Sequence, residues 1–293
     1  MRVLVTGAAG FIGHHVGLAL KDAGHEIIGL DVRFHDFARV YPEFYDSDIT
    51  KPLGTISGLD AVIHLAAVAN PRECDKAPTK AFDVNVNGTN QVLAMALKSG
   101  ARKVVFSSTA HVYDIPPRYL PTDEQHPLRL NNTYTTTKLL GEQLCHLYWE
   151  NHGLAYTTLR LFNAYGDGQA KGYFIPDMLE KARTGQMTLD GCATTKDWVH
   201  IDDVARAFVL ALESSFVGPI NIGTGVETRL FRIACDIALR SGATLTTADN
   251  GGTTRMQADI GRALRVLGWE PRVSMTEGLA RVTDAAKSEP VPA

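Results

Sequence analysis

The chain runs to 293 residues, with 29 lysines and arginines against 32 acidic residues and a formal net charge of −3. It carries no basic stripe and no block of like charge, so neither nucleic-acid binding nor adhesion to a membrane surface has support, and no apolar run is long enough to span a bilayer. Its four cysteines, Cys74, Cys145, Cys192 and Cys235, form no C-x-x-C pair and its ten histidines show no metal-binding spacing, which points to a reduced cytoplasm and no metal.

Residues 1–6 read as a short buried strand, and its start so close to Met1 argues against a signal peptide. The turn Gly7-Ala8-Ala9-Gly10-Phe11-Ile12-Gly13 follows at once, then an apolar segment at helical spacing through Leu20 that stops at Gly24. Glycines at a strand-to-helix turn let the backbone approach a pyrophosphate, whose charge the helix N-terminus favours. Gly7, Gly10, Phe11, Ile12 and Gly13 are therefore candidate cofactor contacts, spaced G-x-x-G-x-x-G rather than G-x-G-x-x-G. A second strand over 25–30 ends at Asp31. An acid there binds the adenosine ribose hydroxyls and repels a 2′-phosphate, which favours NAD, although Arg33 could hold that phosphate.

Asp48 and Ile49 are expected to end a third strand and bracket adenine. Residues 60–67 read as a fourth strand, whose Leu65, Ala66 and Ala67 permit close cofactor approach and whose His64 is a packed strand residue. Residues 102–109 read as a fifth strand ending in Ser107, Ser108 and Thr109. After a proline-bearing loop come Tyr134 and Lys138, four apart and so on one face of a helix. A cation beside a phenol favours phenolate and lowers its pKa, which makes a proton-transfer group near neutral pH. Three threonines between them are poor helix formers, and local rules tend to break at functional sites.

Hydroxyl, tyrosine and lysine in that order, after such a glycine turn, resemble the extended short-chain dehydrogenase/reductase family. More narrowly, the chain is similar to its NAD-dependent sugar-nucleotide epimerases and dehydratases. Matching blocks are Asn85-Val86-Asn87-Gly88-Thr89, Arg160-Leu161-Phe162-Asn163-Ala164-Tyr165-Gly166, Asp197-Trp198-Val199-His200-Ile201-Asp202-Asp203, Asn221-Ile222-Gly223-Thr224-Gly225 and Leu267-Gly268-Trp269-Glu270-Pro271. The resemblance implies NAD as cofactor and a nucleotide sugar as substrate. It makes Tyr134 the proton-transfer residue, Lys138 the holder of the nicotinamide ribose and Thr109 the partner of the reacting oxygen. Asn85, Ser107 and Phe162 would line the cofactor, and Asn163 the substrate. The implied chemistry is epimerisation through a transient ketone. It also implies a homodimer, in which the Tyr134 helix and a helix over about 79–98 pair across a dimer axis; Tyr148 and Trp149 are read as core or helix-packing residues.

The sequence departs from the family at several points. Ala110 and His111 stand where 4,6-dehydratases carry an acidic pair, so dehydration is disfavoured; His111 is either an acid/base or a spacer. Lys196-Asp197-Trp198 replaces an arginine block, keeping the charge without the bidentate fork. Residues 248–255 replace an arginine-bearing segment, leaving Arg255 as the nearby cation, and the loop between Asn163 and Pro176 is short. These features put a standard UDP-hexose in doubt and leave net oxidation or reduction of a sugar or small alcohol as the alternative. The fold expected is α/β, a Rossmann-type doubly wound parallel sheet with a smaller, interleaved C-terminal substrate lobe. Residues 1–165, with about 197–224, form the NAD-binding domain, 166–196 and 225–287 the lobe, and 288–293 a frayed tail.

Overall fold

Val3, Leu4 and Val5 are fully buried, as expected of a strand covered on both faces. This strand, β1 (Arg2–Thr6), opens an alternation of α1 (Phe11–Asp22), β2 (Glu26–Asp31), β3 (Glu43–Asp46), β4 (Ala61–His64), α2 (Pro71–Lys76), α3 (Pro78–Phe82), α4 (Gly88–Lys98), β5 (Lys103–Thr109), α5 (Thr133–His152) and β6 (Ala155–Leu161). There follow β7 (Asn163–Tyr165), α6 (Phe174–Arg183), β8 (Gln186–Asp190), β9 (Thr195–His200), α7 (Ile201–Glu213), β10 (Gly218–Ile222), β11 (Glu227–Arg229), α8 (Leu230–Ser241), β12 (Thr244–Ala248), α9 (Gly261–Leu267) and α10 (Met275–Ser288). The structure is a computed structural model and describes residues 1–248 and 253–288. Asp249 to Gly252, the centre of the variant C-terminal segment, and Glu289 to Ala293, most of the expected tail, lie outside the described residues.

Seven strands form one parallel sheet in the order β10-β6-β5-β4-β1-β2-β3. Helices cover both faces. On one side α1 and α7 bury Val16, Leu20, Val204 and Phe208. On the other, Val92, Leu93 and Cys145 of α4 and α5 pack with Leu4, Val62 and Val104. The strand order reverses between β1 and β4, and an open α/β sheet leaves its ligand crevice at that point, beyond the strand carboxyl ends. A three-stranded sheet, β11-β9-β7, and a two-stranded one, β12-β8, carry the C-terminal elements around Ile175, Met187, Trp198 and Ile233.

Several expected boundaries move. The third strand stops at Asp46, and Asp48 instead closes a turn by accepting the Thr50 N–H at 2.9 Å. The fourth stops at His64, although the Leu65 N–H still donates to the Thr6 carbonyl at 3.1 Å. The helix over 79–98 is not uniform. A π-helical turn at Asp83–Asn87 separates α3 from α4, because Asn85 is drawn inward and the Thr89 hydroxyl bonds the Asn85 carbonyl at 2.6 Å. Ser288 ends α10 and does not begin a frayed tail. Trp149 is half-exposed beside His146 and Tyr156, while Tyr148 reaches across to Asn90 of α4 at 3.0 Å.

Candidate active site

Asn132 caps α5 two residues before Tyr134: its Oδ1 accepts the Thr135 N–H at 2.9 Å, and Thr135 Oγ1 accepts the Asn132 N–H at 3.2 Å. The poor helix formers have assignments of their own. Thr135 completes this cap, Thr136 Oγ1 donates to the Asn132 carbonyl at 2.9 Å, and Thr137 Oγ1 donates to the Tyr134 carbonyl at 2.8 Å. Tyr134 and Lys138 face β5 from this helix. Lys138 Nζ donates to the Ser107 carbonyl at 2.9 Å and lies 5.1 Å over the Phe106 ring, while the Thr109 hydroxyl sits beside the Tyr134 phenol.

The electrostatics differ from the expectation. Burial holds the Tyr134 phenol well above its ordinary value, with the acidic groups of Tyr173 and Cys74 adding to the rise and Thr109 opposing it. Lys138 does not depress it here, because its ammonium is turned to the Ser107 carbonyl. Burial pulls Lys138 itself down to about 8. At pH 7 the pair is therefore a neutral phenol and a charged ammonium.

The glycine turn is shaped for a backbone-lined ligand. Gly7 has φ 70°, and a Cβ there would meet the Ala66 nitrogen at 2.7 Å; one on Gly13 would overlap the Gly7 carbonyl. Gly10 caps α1 without a side chain, so the N–H groups of Phe11, Ile12 and Gly13 point outward without a side-chain partner at the cap. Such a cradle fits the pyrophosphate of a dinucleotide. Asp31 stands at its rim, Oδ2 accepting the Ala9 N–H at 3.1 Å, and Arg33 is exposed nearby with no ion pair among the described residues. Leu65, Ala66 and Ala67 are half-buried along the crevice, and Ile49 is buried against Gly88.

Three expected cofactor contacts make contacts within the protein. The Asn85 amide accepts the Val68 N–H at 2.8 Å and donates to the Val68 carbonyl and to Thr137 Oγ1, which ties the π-turn to α5. Ser107 offers its carbonyl to Lys138. Phe162 packs with Ala110, Tyr113 and Met256. His64 is more than a packed strand residue. Thr89 donates to the Asn85 carbonyl, so His64 Nε2 must be the donor to Thr89 at 2.9 Å, and Nδ1 accepts from Thr6 at 2.6 Å. Burial pulls this imidazole down to about 3, so it stays neutral and links the glycine turn to the Asn85 helix.

On the substrate side, Lys196 has no hydrogen-bond or ion-pair partner among the described residues, and burial lowers its pKa. His111 lies within its field; burial first and Lys196 second pull the imidazole down to about 4, so it is neutral at pH 7. His111 lines a cavity of about 270 Å³ with Ile115, Asn131, Asn132 and Thr135. Asn163 Nδ2 donates to the Asp197 carbonyl at 2.9 Å. Arg255 is not a free cation: its guanidinium forms a bidentate pair with Glu227. Two residues of this side were missed. Asp197, fully buried, accepts the N–H groups of Thr224, Gly225 and Ala258 and the Thr224 hydroxyl, and so pins the loop after β10. Tyr173 comes close enough to Tyr134 for their phenols to interact, which no local spacing signals.

Comparisons with known proteins identify the family and the fold. The model of the NAD dependent epimerase/dehydratase family matches residues 3–223. A protein of Methanocaldococcus jannaschii named as a putative UDP-glucose 4-epimerase is 36% identical, covering 98% of each chain. The solved structure of UDP-glucose 4-epimerase from Thermotoga maritima, with UDP-glucose, superposes with a TM-score of 0.89 at 28% identity over 98% of this chain and 99% of that one. That of UDP-glucose 4-epimerase from Stenotrophomonas maltophila, with bound NAD and formylated UDP-arabinopyranose, gives 0.90 at 27% identity over 98% of each.

Proposed function

The chain belongs to the NAD-dependent epimerase/dehydratase family, and from that premise we propose that it is an NAD-dependent epimerase of a nucleotide-activated sugar, inverting a carbinol carbon in the manner of a 4-epimerase. The observation that carries this reading is the meeting of Tyr134, Lys138 and Thr109 at the carboxyl end of β5, in the same parallel sheet whose β1 leads into the glycine cradle with Asp31 on its rim. Bound NAD would supply the hydride acceptor and donor that this chemistry needs, and its oxidised ring a positive charge that would favour the Tyr134 phenolate. Tyr134 takes the hydroxyl proton on the way to the ketone and returns it afterwards; Thr109 orients the reacting oxygen, and Lys138 holds the ribose. Gly7, Gly10 and Gly13 seat the pyrophosphate, with Phe11 and Ile12 offering N–H groups. Asp31 takes the adenosine ribose, with Arg33 beside it. Lys196 meets a substrate phosphate, and neutral His111 with Asn131 lines the pocket for the sugar.

Loss of water is disfavoured, because Ala110 is apolar and burial pulls the His111 imidazole down to about 4. The four thiols are free, in keeping with a reducing cytoplasm. Leu97, Leu140, Leu147 and Trp149 leave an exposed apolar face on α4 and α5, which supports a homodimer through those helices; light scattering on the purified protein tests it. Proton NMR of that protein with a UDP-sugar panel, no cofactor added, tests the activity. A new epimeric anomeric signal is expected; stoichiometric consumption of added NAD with no epimer would replace this reading with a net dehydrogenase.

A further inference from the structure

Consecutive contacts hold α5 in register on β5. The Phe106 ring fills the place a Gly141 Cβ would take, its Cζ 2.5 Å from it. Lys138 then bonds the Ser107 carbonyl, Ser108 Oγ donates to Glu142 Oε1 at 2.5 Å, and Thr109 meets Tyr134. Glu142, 5% exposed, also receives the Arg160 guanidinium in a bidentate pair at 3.0 and 2.7 Å. Arg160 extends the chain of contacts through Tyr113, whose hydroxyl donates to Asn221 Oδ1 at 2.5 Å. The Asn221 N–H reaches Glu124 at 2.9 Å, and Glu124 pairs with Arg262. Apolar residues of similar volume often replace a buried ion pair without loss of stability. Stability alone is then a weak reason for a carboxylate one helical turn beyond Lys138.

We propose that Glu142 is a positioning residue for the redox site, setting the register of α5 on β5 and acting as the counter-charge of the Lys138 ammonium. The inference rests on the reading of Lys138 as the cation that holds the cofactor ribose. The groups facing Lys138 are Cys74 from α2, Cys145 and Glu142 from α5, and His64 from β4. Burial pushes both thiols up, so they are uncharged near neutral pH, and His64 is neutral. Glu142, held by the Ser108 hydroxyl and the Arg160 guanidinium, is the carboxyl group among them. It opposes the burial that draws Lys138 down to about 8.

The test is NAD affinity by titration calorimetry between pH 6.5 and 9.5. Wild type is expected to lose affinity as pH passes about 8. Glu142→Gln moves that step down by roughly half a pH unit or more, since an opposite charge near an ammonium favours its charged form. The single variant leaves Arg160 unpaired and is at risk of misfolding. Glu142→Gln with Arg160→Met removes that risk; because it deletes the guanidinium charge together with the carboxylate, its step is expected to move down by less than in the single variant. A merely structural role lowers affinity equally at every pH. A folded double variant whose step stays at the wild-type pH overturns the proposal, and a wild type with no step near pH 8 removes the Lys138 reading beneath it.

Discussion

The two sides of the crevice are built from different materials. The glycine-turn side is made of backbone and small residues: Gly7 and Gly13 leave no space for side chains, and the N–H groups of the first α1 turn face outward. The substrate side is made of polar side chains, some already engaged: Arg255 with Glu227, Asn163 with the Asp197 carbonyl. Backbone sites of this kind tolerate almost no change and recognise a fixed group. Side-chain sites can exchange partners, so within one family they are where selectivity changes.

The largest expected effect sharpens the contrast at the reacting centre. Tyr134→Phe removes the proton-transfer group and should cut epimerisation about 10²–10⁴-fold, while NAD affinity stays close to wild type by calorimetry. Gly13→Ala tests the backbone side. Its methyl group collides with the Gly7 carbonyl, and the cost of overpacking, roughly 1–3 kcal/mol, should weaken NAD binding about tenfold or more. Wild-type affinity in that variant would break the picture of a rigid cradle.

On the substrate side, removal of a free cation and of an engaged one should differ. Lys196→Ala is expected to raise KM for a UDP-sugar roughly tenfold, the scale of a lost charged hydrogen bond. Arg255→Ala, whose charge Glu227 already meets at an exposed site, should change KM less than about threefold. Equal effects would erase the distinction. The smallest effect is on stability. An unfolded histidine takes its proton near pH 6.5, while buried His64 resists until about 3. Stability held above pH 6.5 is therefore lost as pH falls through that window. His64→Asn should flatten the acid slope measured in urea by up to about 1.4 kcal/mol per pH unit, on top of a pH-independent loss.

The glycine turn, the parallel sheet and the Tyr134/Lys138 face could be read from the sequence because each obeys a local rule. A turn that must approach a ligand requires glycine, a strand buried on both faces is a continuous apolar run, and residues four apart share a helical face. Element ends were less legible: Asp48 fell outside β3 and the helix before Lys98 carried a π-turn. Both depend on hydrogen bonds to residues far along the chain or on a side chain competing with the backbone.

What only the tertiary structure decided is the state of each polar group. Burial raised Tyr134 where its neighbour in sequence predicted a fall, and it made His111 and His64 neutral. The Asn85 amide found its partners in Val68 and Thr137, and Arg255 on the substrate side found Glu227. Sequence spacing fixes which way a residue points from its own element. The charge it carries and the partner it finds are set by desolvation and by groups contributed from other elements, and those come together only when the chain is folded.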